Sequence, residues 1–350
     1  MFSIYKKVAK IFDLYEHLLF LSYAIIGDLY MKKALISAIS LFVGAYAFAE
    51  ISDNEYGGKL ITGDYTASEL VQANGGSGEF GNITLNGTNI TITDGTDITA
   101  STSAKMTSNT SMSLRVVKGG KASSLSLASG STGSFHFATA ISSQSAALTI
   151  NVDENAGGYL YTDRILVQAS PVVLNLGKDY AIRTLDETKI LDICITEGWN
   201  LDINSSGDIS TKLDVRNNST INFNLTNGAR FYIEGLSKIK DNNSTAKFTI
   251  QNSLEDGVIL FDKDMIVSGF EYDEDLASYK VVVKRSASLQ ETITFSAAEG
   301  IDLDQLVWSD SLVDGYWALY GVATIPEPAE WAMIFGGLAL GLAVYKRRKA

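Results

Sequence analysis

Histidine and cysteine, the side chains most often used as bases, nucleophiles and metal ligands, are scarce in this chain. Its 350 residues include two histidines and one cysteine, and only His136 and Cys194 lie away from the N-terminal segment. A serine hydrolase built on His136 would need a nucleophile turn of the type Gly-x-Ser-x-Gly, which the sequence lacks. A zinc site needs several histidine or cysteine ligands. We therefore predict no catalytic residue and no metal site of these kinds.

The neighbours of His136 and Cys194 favour structural roles for both. His136 stands between Phe135 and Phe137, and strand alternation would bury the two phenylalanines and turn the histidine outward. Cys194 is out of phase with the isoleucines on either side of it. We interpret it as a small packed or half-exposed residue rather than a reactive thiol.

Carboxylates are abundant, but their spacing selects no site. The acidic runs at residues 262–264 and 271–275 offer clustered ligands for Ca²⁺, without the spacing of an EF-hand. The segment at residues 75–79, Gly-Gly-Ser-Gly-Glu, is similar to a calcium-binding repeat but occurs once and lacks its aspartate. Solvated loops and a flexible turn are the favoured interpretations. We expect no cofactor, and Ca²⁺ is the one ion for which clustered ligands exist.

The charge balance of the central region excludes one class of partner. Between residues 50 and 345 the chain has nineteen basic and thirty-seven acidic residues, a net charge of −18. Such a surface repels phosphate backbones, so we predict no nucleic-acid binding.

The N-terminal region contains a complete secretory signal. Residues 31–49 begin with Met31, Lys32 and Lys33, continue with an apolar stretch at residues 34–45, and end with the small residues Ala47 and Ala49 at a cleavage site. This order is that of a signal peptide. Because signal peptides begin a chain, we expect residues 1–30 to be a miscalled upstream extension.

The C-terminal region is predicted to anchor the chain in a membrane. Residues 331–345 form an apolar helix candidate with Trp331 and Tyr345 at its two ends, and a basic cluster follows it. That cluster is Lys346, Arg347, Arg348 and Lys349. Interfacial aromatics and a cytoplasmic basic cluster are typical of a transmembrane helix whose preceding domain lies outside the inner membrane.

The order of three parts in this tail resembles the PEP-CTERM sorting signal of Gram-negative bacteria. Pro326, Glu327 and Pro328 precede the short apolar span, which precedes the basic cluster. The resemblance covers residues 325–350. It implies recognition by an exosortase, removal of the tail near the two prolines, and release or attachment at the outer surface.

The passenger at residues 50–324 is predicted to be all-β. It is rich in Ser, Thr, Asn and Gly, and apolar residues recur at every second position in short segments separated by polar turns, such as residues 148–152, 201–203 and 221–225. Helical periodicity is hard to find outside the termini. We favour a β-solenoid, with a β-sandwich as the alternative, although no fixed repeat length is visible.

These features together predict an exported cell-surface or extracellular-matrix protein of structural or adhesive type, and not an enzyme. Its expected partners are the general secretion machinery, an exosortase and the inner membrane, with extracellular polysaccharide as a further candidate. The alternative is a secreted carbohydrate-active enzyme, a glycosidase or lyase, on a β-solenoid, because a glycosidase needs only two suitably placed carboxylates.

Overall fold

The computed structural model describes residues 50–101, 112–116, 121–144, 146–196, 198–216, 218–238 and 246–321. The segments predicted to be an upstream extension (1–30), a signal peptide (31–49) and a sorting tail (325–350) lie outside the described residues.

Strands dominate the described part of the chain. In chain order they are β1 (Glu50–Asp53), β2 (Lys59–Thr62), β3 (Tyr65–Thr66), β4 (Glu79–Phe80), β5 (Ile83–Asn86), β6 (Asn89–Ile92), β7 (Ile98–Ala100), β8 (Leu114–Val116), β9 (Ser123–Leu127), β10 (Phe135–Ser143), β11 (Leu148–Val152), β12 (Leu160–Val167), β13 (Val172–Leu176), β14 (Ile182–Arg183), β15 (Leu191–Ile195), β16 (Asn200–Ser205), β17 (Ile209–Val215), β18 (Thr220–Leu225), β19 (Ala229–Lys238), β20 (Ala246–Ile250), β21 (Gly257–Asp262), β22 (Ile266–Asp273), β23 (Ser278–Ser286), β24 (Leu289–Ala297), β25 (Leu306–Ser309) and β26 (Tyr316–Gly321). One α-helix, α1 (Ala67–Ala73), and 3₁₀ turns at Lys263–Met265 and Leu303–Gln305 complete the described elements.

These strands form two sheets rich in parallel pairs. The first sheet has the order β1-β2-β5-β8-β10-β12-β15-β17-β19-β21-β26-β25. Outside this order, β14 pairs with β12, β7 pairs with β10, and β4 pairs with β7. The second has the order β22-β23-β24-β20-β18-β16-β13-β11-β9-β6-β3. From β9 to β21 the chain passes back and forth between the two sheets. Each strand pairs in parallel with a strand of the same sheet from the previous turn of the chain.

The register of the second sheet follows directly from its apolar pattern. Leu148, Ile150 and Val152 of β11 stand opposite Val172, Leu174 and Leu176 of β13, and all six are buried. A one-residue slip would turn these side chains to solvent, so burial fixes the pairing. In the described residues one core cluster extends from Ile61 to Leu319.

Successive turns of the chain are aligned in register but unequal in length. Paired positions in the second sheet are 24 residues apart between β11 and β13, 29 between β13 and β16, and 20 between β16 and β18. These strands are similar in length, at five or six residues, while the connections between them vary. This variation explains why the sequence displays no fixed repeat.

Different elements cover the two ends of the stack. At the N-terminal end β1 pairs antiparallel with β2, and α1 buries Leu70 against the core. Thr66 and Glu69 form a capping box that starts this helix. The capping box is visible in the sequence, but a helix of seven residues is too short for its apolar periodicity to be detected. At the C-terminal end β22 to β26 pair antiparallel with their neighbours, apart from β24, which also pairs in parallel with β20.

The all-β prediction is confirmed, and both sheets consist mainly of parallel strands. Within the described residues, no helix combines the length and the apolar character that a membrane span requires.

Candidate functional site

A column of asparagines crosses the outer face of the second sheet. Its members are Asn151, Asn175, Asn204 and Asn224, which occupy the same outward position in β11, β13, β16 and β18. We call this column the asparagine ladder. The strands carry asparagine there because the residues on either side face the core, while this position faces outward and tolerates a polar side chain.

Side-chain amides connect the ladder from strand to strand. Asn151 Nδ2 donates to Ser126 Oγ at 3.1 Å, and Asn175 Nδ2 donates to Asn151 Oδ1 at 2.8 Å. Asn204 Nδ2 donates to Asn175 Oδ1 at 2.9 Å, and Asn224 Nδ2 to Asn204 Oδ1 at 3.3 Å. All donors therefore point the same way along the stack, which fixes the rotation of each amide.

A shallow groove of about 600 Å³ runs over the ladder. One edge is formed by the residues that follow the strands, among them Ser129, Glu154 and Ser206. A second depression of about 370 Å³ shares Asn204 and Asn224 with it and continues to Gln251. The two form one groove from β9 to the end of β20.

A glycine keeps the chain close to this edge. A Cβ atom on Gly177 would come within 2.5 Å of the backbone nitrogen of Glu154 and 2.9 Å of the carbonyl oxygen of Val152. The turn after β11 therefore lies directly against the end of β13, and Gly177 is the residue that permits this approach.

The groove is lined by amides, hydroxyls and a few acids. Its acidic side chains are Asp153, Glu154 and Asp202, and among its described lining residues there is no cationic and no aromatic side chain. Asp202 Oδ1 accepts from Asn222 Nδ2 at 2.5 Å. The local field is therefore neutral to negative.

Asp153 and Asp202 do not form a pair suited to glycoside cleavage. Asp153 follows β11, whereas Asp202 lies two strands away and four positions earlier along its own strand. With strand spacings of about 4.8 Å and a rise of about 3.3 Å per residue, their backbones are about 16 Å apart. Paired glycosidase carboxylates lie about 5–9.5 Å apart.

His136 lies on the opposite, first sheet. Phe135 and Phe137 are buried, and the His136 ring faces outward, as the alternation predicts. It stacks on Tyr161 of the neighbouring strand with ring centroids 4.6 Å apart. Stacking on an in-register neighbour is a structural cross-strand contact.

A cationic and aromatic cluster that the sequence did not indicate lies beside this pair. Lys178 Nζ and Arg183 Cζ each lie 3.5 Å from the ring centroid of Tyr159. Lys178 also donates to the carbonyl oxygens of Ala156 and Gly158. Burial, and then the like charge of Arg183, lowers the pKa of Lys178. Unequal connections separate these residues in the sequence, so no spacing pattern identifies them.

Cys194 is buried on the first sheet rather than half-exposed. Its Sγ lies 3.4 Å from Asp214 Oδ2 on the neighbouring strand. Burial first, and then the charge of Asp214, raises the pKa of the thiol to about 12. The thiol is therefore protonated at neutral pH and is a weak nucleophile.

The acidic runs are engaged in turns. Asp273 pairs with Lys280 at 2.5 Å and accepts from the backbone of Leu276, while Asp262 accepts from the backbone of Asp264. Gly75 and Gly76 have positive φ angles at the end of α1, the geometry of a turn. In the part of the chain that the structure describes, no three His, Cys, Asp or Glu residues group as metal ligands.

The ladder itself had a sequence signal. The strands read Leu-Thr-Ile-Asn-Val, Val-Val-Leu-Asn-Leu, Leu-Asp-Ile-Asn-Ser and Ile-Asn-Phe-Asn-Leu. In each segment the first and third positions are apolar and the fourth is asparagine. The unequal spacing of the strands hides this recurrence from a search for a fixed repeat.

Searches of protein-family models, of curated proteins and of solved structures found no match to this chain.

Proposed function

We propose that this chain is an exported cell-surface or extracellular-matrix protein of structural or adhesive type, and not an enzyme. The observation that carries the proposal is the polar outer face of the second sheet, where amide and hydroxyl columns run in register over a continuous apolar core. An extended, rigid face of this kind is suited to broad surface contact rather than to enclosing a small substrate.

We further propose that the passenger is a two-sheet β-solenoid. The alternation of successive strands between two sheets and the parallel in-register pairing from β9 to β21 support this architecture. A β-sandwich of the immunoglobulin type is the less favoured alternative because its sheets are antiparallel.

Engineered disulfides test the solenoid register. Thr149 and Val173 are directly opposed on parallel strands, and Ser124 lies one strand farther from Val173. Parallel neighbours lie about 4.8 Å apart, within the range for a disulfide, whereas two strand steps are about 10 Å. Thr149→Cys with Val173→Cys should cross-link on mild oxidation, and Ser124→Cys with Val173→Cys should not. Equal cross-linking of both pairs, or of neither, would contradict the solenoid.

The sorting route is proposed from the two terminal signals. After secretion and cleavage following Ala49, residues 331–345 would hold the protein in the inner membrane with Lys346 to Lys349 inside. An exosortase would then act near Pro326 and Pro328 and transfer the protein to the cell surface or medium of a Gram-negative host.

Proline substitution separates insertion from processing. Pro326→Ala with Pro328→Ala leaves the apolar span intact, so the variant should insert and stay in the inner membrane at full mass. Replacing the four terminal bases by Gln should weaken membrane orientation instead. If the wild-type surface form keeps its whole tail by mass spectrometry, the tail is a plain anchor and the sorting proposal fails.

A secreted carbohydrate-active enzyme remains the competing class. The groove suits a polymer, but the distance between Asp153 and Asp202 disfavours glycosidase chemistry there. Release of reducing ends or unsaturated sugars from a panel of polysaccharides by the purified chain would overturn the non-enzymatic proposal.

A further inference from the structure

We propose that the groove over the asparagine ladder binds a neutral, extended polysaccharide chain lying across the strands. This inference names a ligand class for the surface role proposed above and rests on it. Binding to the groove is tested on the purified chain, separately from the processing of the tail.

The groove has the length of an oligosaccharide. It crosses six strands of the second sheet, β9, β11, β13, β16, β18 and β20. Five spacings of about 4.8 Å give a path of about 24 Å. The connections that follow the strands form an edge along one side of this path.

The central asparagines of the ladder keep hydrogen-bonding capacity that their neighbours do not use. An amide side chain has two N–H donors and two acceptor lone pairs. Within the ladder, Asn175 and Asn204 each use one donor and one acceptor position on their neighbours. Both side chains are only partly buried and line the groove. The two central strands, β13 and β16, therefore each present a donor and an acceptor to the groove.

These groups are already oriented. The bonds from Asn151 to Ser126, from Asn175 to Asn151 and from Asn204 to Asn175 fix the amides before a ligand arrives. Pre-organisation lowers the entropy lost on binding. Sugar hydroxyls, which both donate and accept, match a row of alternating amide donors and acceptors.

The charges select a neutral chain. Asp153, Glu154 and Asp202 lie in the groove, and its described lining has no cationic side chain to neutralise a uronate, sulfate or phosphate group. An anionic polymer would be repelled. Without an aromatic platform in this lining, each sugar unit binds weakly, so affinity must come from the number of strands contacted.

Binding should therefore grow with chain length. We would titrate cello-oligosaccharides and malto-oligosaccharides of increasing length, and polygalacturonate oligomers as the anionic comparison, by calorimetry. The protein is the full chain in a detergent without a sugar headgroup. Affinity for at least one neutral series should rise until the ligand spans about 24 Å and then level off, and polygalacturonate should not bind.

Variants place the binding in the groove. Asn175→Ala with Asn204→Ala removes two central amides and should weaken affinity about tenfold or more. Asn224→Ala sits at the end of the ladder, where its bond is the longest of the series, so it should spare the fold and weaken affinity about threefold. Asn89→Ala is the matched control, because Asn89 also bonds through its side chain on this sheet but lies beyond the groove.

Four results of the oligosaccharide titrations would overturn the proposal. They are no binding of either neutral series at millimolar ligand, binding without length dependence, preference for polygalacturonate, and full affinity in the two ladder variants. Ca²⁺ binding without oligosaccharide binding would make the acids a cation site and also overturn it. In each case surface delivery in the host, measured separately, still tests the sorting role.

Discussion

The middle of the molecule and its C-terminal end differ in strand direction and in the side chains that fill their cores. From β9 to β20 the second sheet is parallel, and its inward residues are mostly Ile, Leu and Val in matching positions. From β21 to β26 most pairs are antiparallel, and aromatic rings fill the interior. Phe248 joins the two regions, with centroid distances of 5.1 Å to Phe223 and 5.6 Å to Phe295.

This difference reflects what each region must do. Successive turns bury aliphatic side chains on the turn above and below, so the stack can continue indefinitely and must be stopped. Antiparallel hairpins interrupt the pattern, and large rings close the irregular space between them. Trp308 and Trp317, stacked at 5.3 Å, complete this end. A capped stack has its sheet edges covered by short or irregular strands, which discourages edge-to-edge association.

Large-to-small core substitutions should have the greatest effect and test whether the regions unfold together. Phe295→Ala removes a fully buried ring and should cost about 3–5 kcal/mol of unfolding free energy. Leu174→Ala in the middle region should cost about 2–5 kcal/mol. Because one core cluster contains both residues, each variant should keep a single urea transition by tryptophan fluorescence and circular dichroism. Separate transitions in the two signals would mean that the cap folds independently.

A corner glycine should reveal how tightly the parallel turns are stacked. A Cβ on Gly158 would overlap the carbonyl oxygen of Gly133 in the preceding turn, so the backbone must move. Gly158→Ala should therefore lower stability by about 2–3 kcal/mol. The control is Gly235→Ala, whose added atom would come no nearer than 3.6 Å to a neighbour. Equal midpoints of thermal unfolding for the two variants would contradict the close stacking.

The ladder should contribute more in the middle than hydroxyl contacts do near the cap. Asn175→Ala removes one donor and one acceptor from the ladder and should cost about 1–2 kcal/mol. Thr249→Ala removes a single hydroxyl contact, 3.0 Å from Ser296 Oγ, and should cost about 0.5 kcal/mol. Urea midpoints for the two variants decide the order, and a larger loss for Thr249→Ala would reverse it.

Two aspartates should give opposite, smaller dependences of stability on pH. Burial raises the pKa of Asp208 in the middle region, so the folded state keeps its proton longer and stability falls as pH rises through that pKa. Near the cap, the hydrogen bond from Lys280 lowers the pKa of Asp273, so its stabilisation exists above the ordinary pKa and is lost as pH falls through the lowered one.

Amide substitution isolates each contribution. In Asp208→Asn the side-chain oxygen can still accept from the backbone N–H of Arg230. This variant should lose the fall in unfolding free energy with rising pH that Asp208 causes. Asp273→Asn should lose the rise in unfolding free energy with rising pH that Asp273 causes. The measurement is the urea midpoint from about pH 3 to pH 6, relative to wild type, and slopes of the same sign would refute the assignment.

The sequence predicts the strands of the middle region well and their arrangement poorly. Alternation identifies Leu148–Val152 and Thr220–Leu225, because each strand buries one face and exposes the other. The pairing depends on which turns meet, and connections of unequal length hide it. A recurring asparagine marks the ladder in the sequence but was not predicted to form a site, whereas the cluster at Tyr159 depends wholly on register. Cys194 was predicted to be small and unreactive, but the charge of Asp214, which adds to the effect of burial on its pKa, comes from the pairing of β15 with β17.

The strand order also determines how the molecule would bear load. Residues 50 and 321 lie on β1 and β26, ten strand spacings apart in the first sheet, about 50 Å. A force that drew these ends apart would act across the strands, opening one ladder at a time rather than shearing many at once. Because each strand of the parallel region pairs with the strands on either side of it in its sheet, single-molecule extension should proceed in small unequal steps, one strand at a time, at low force. A protein of this design would yield gradually under tension and shorten again when the tension is released.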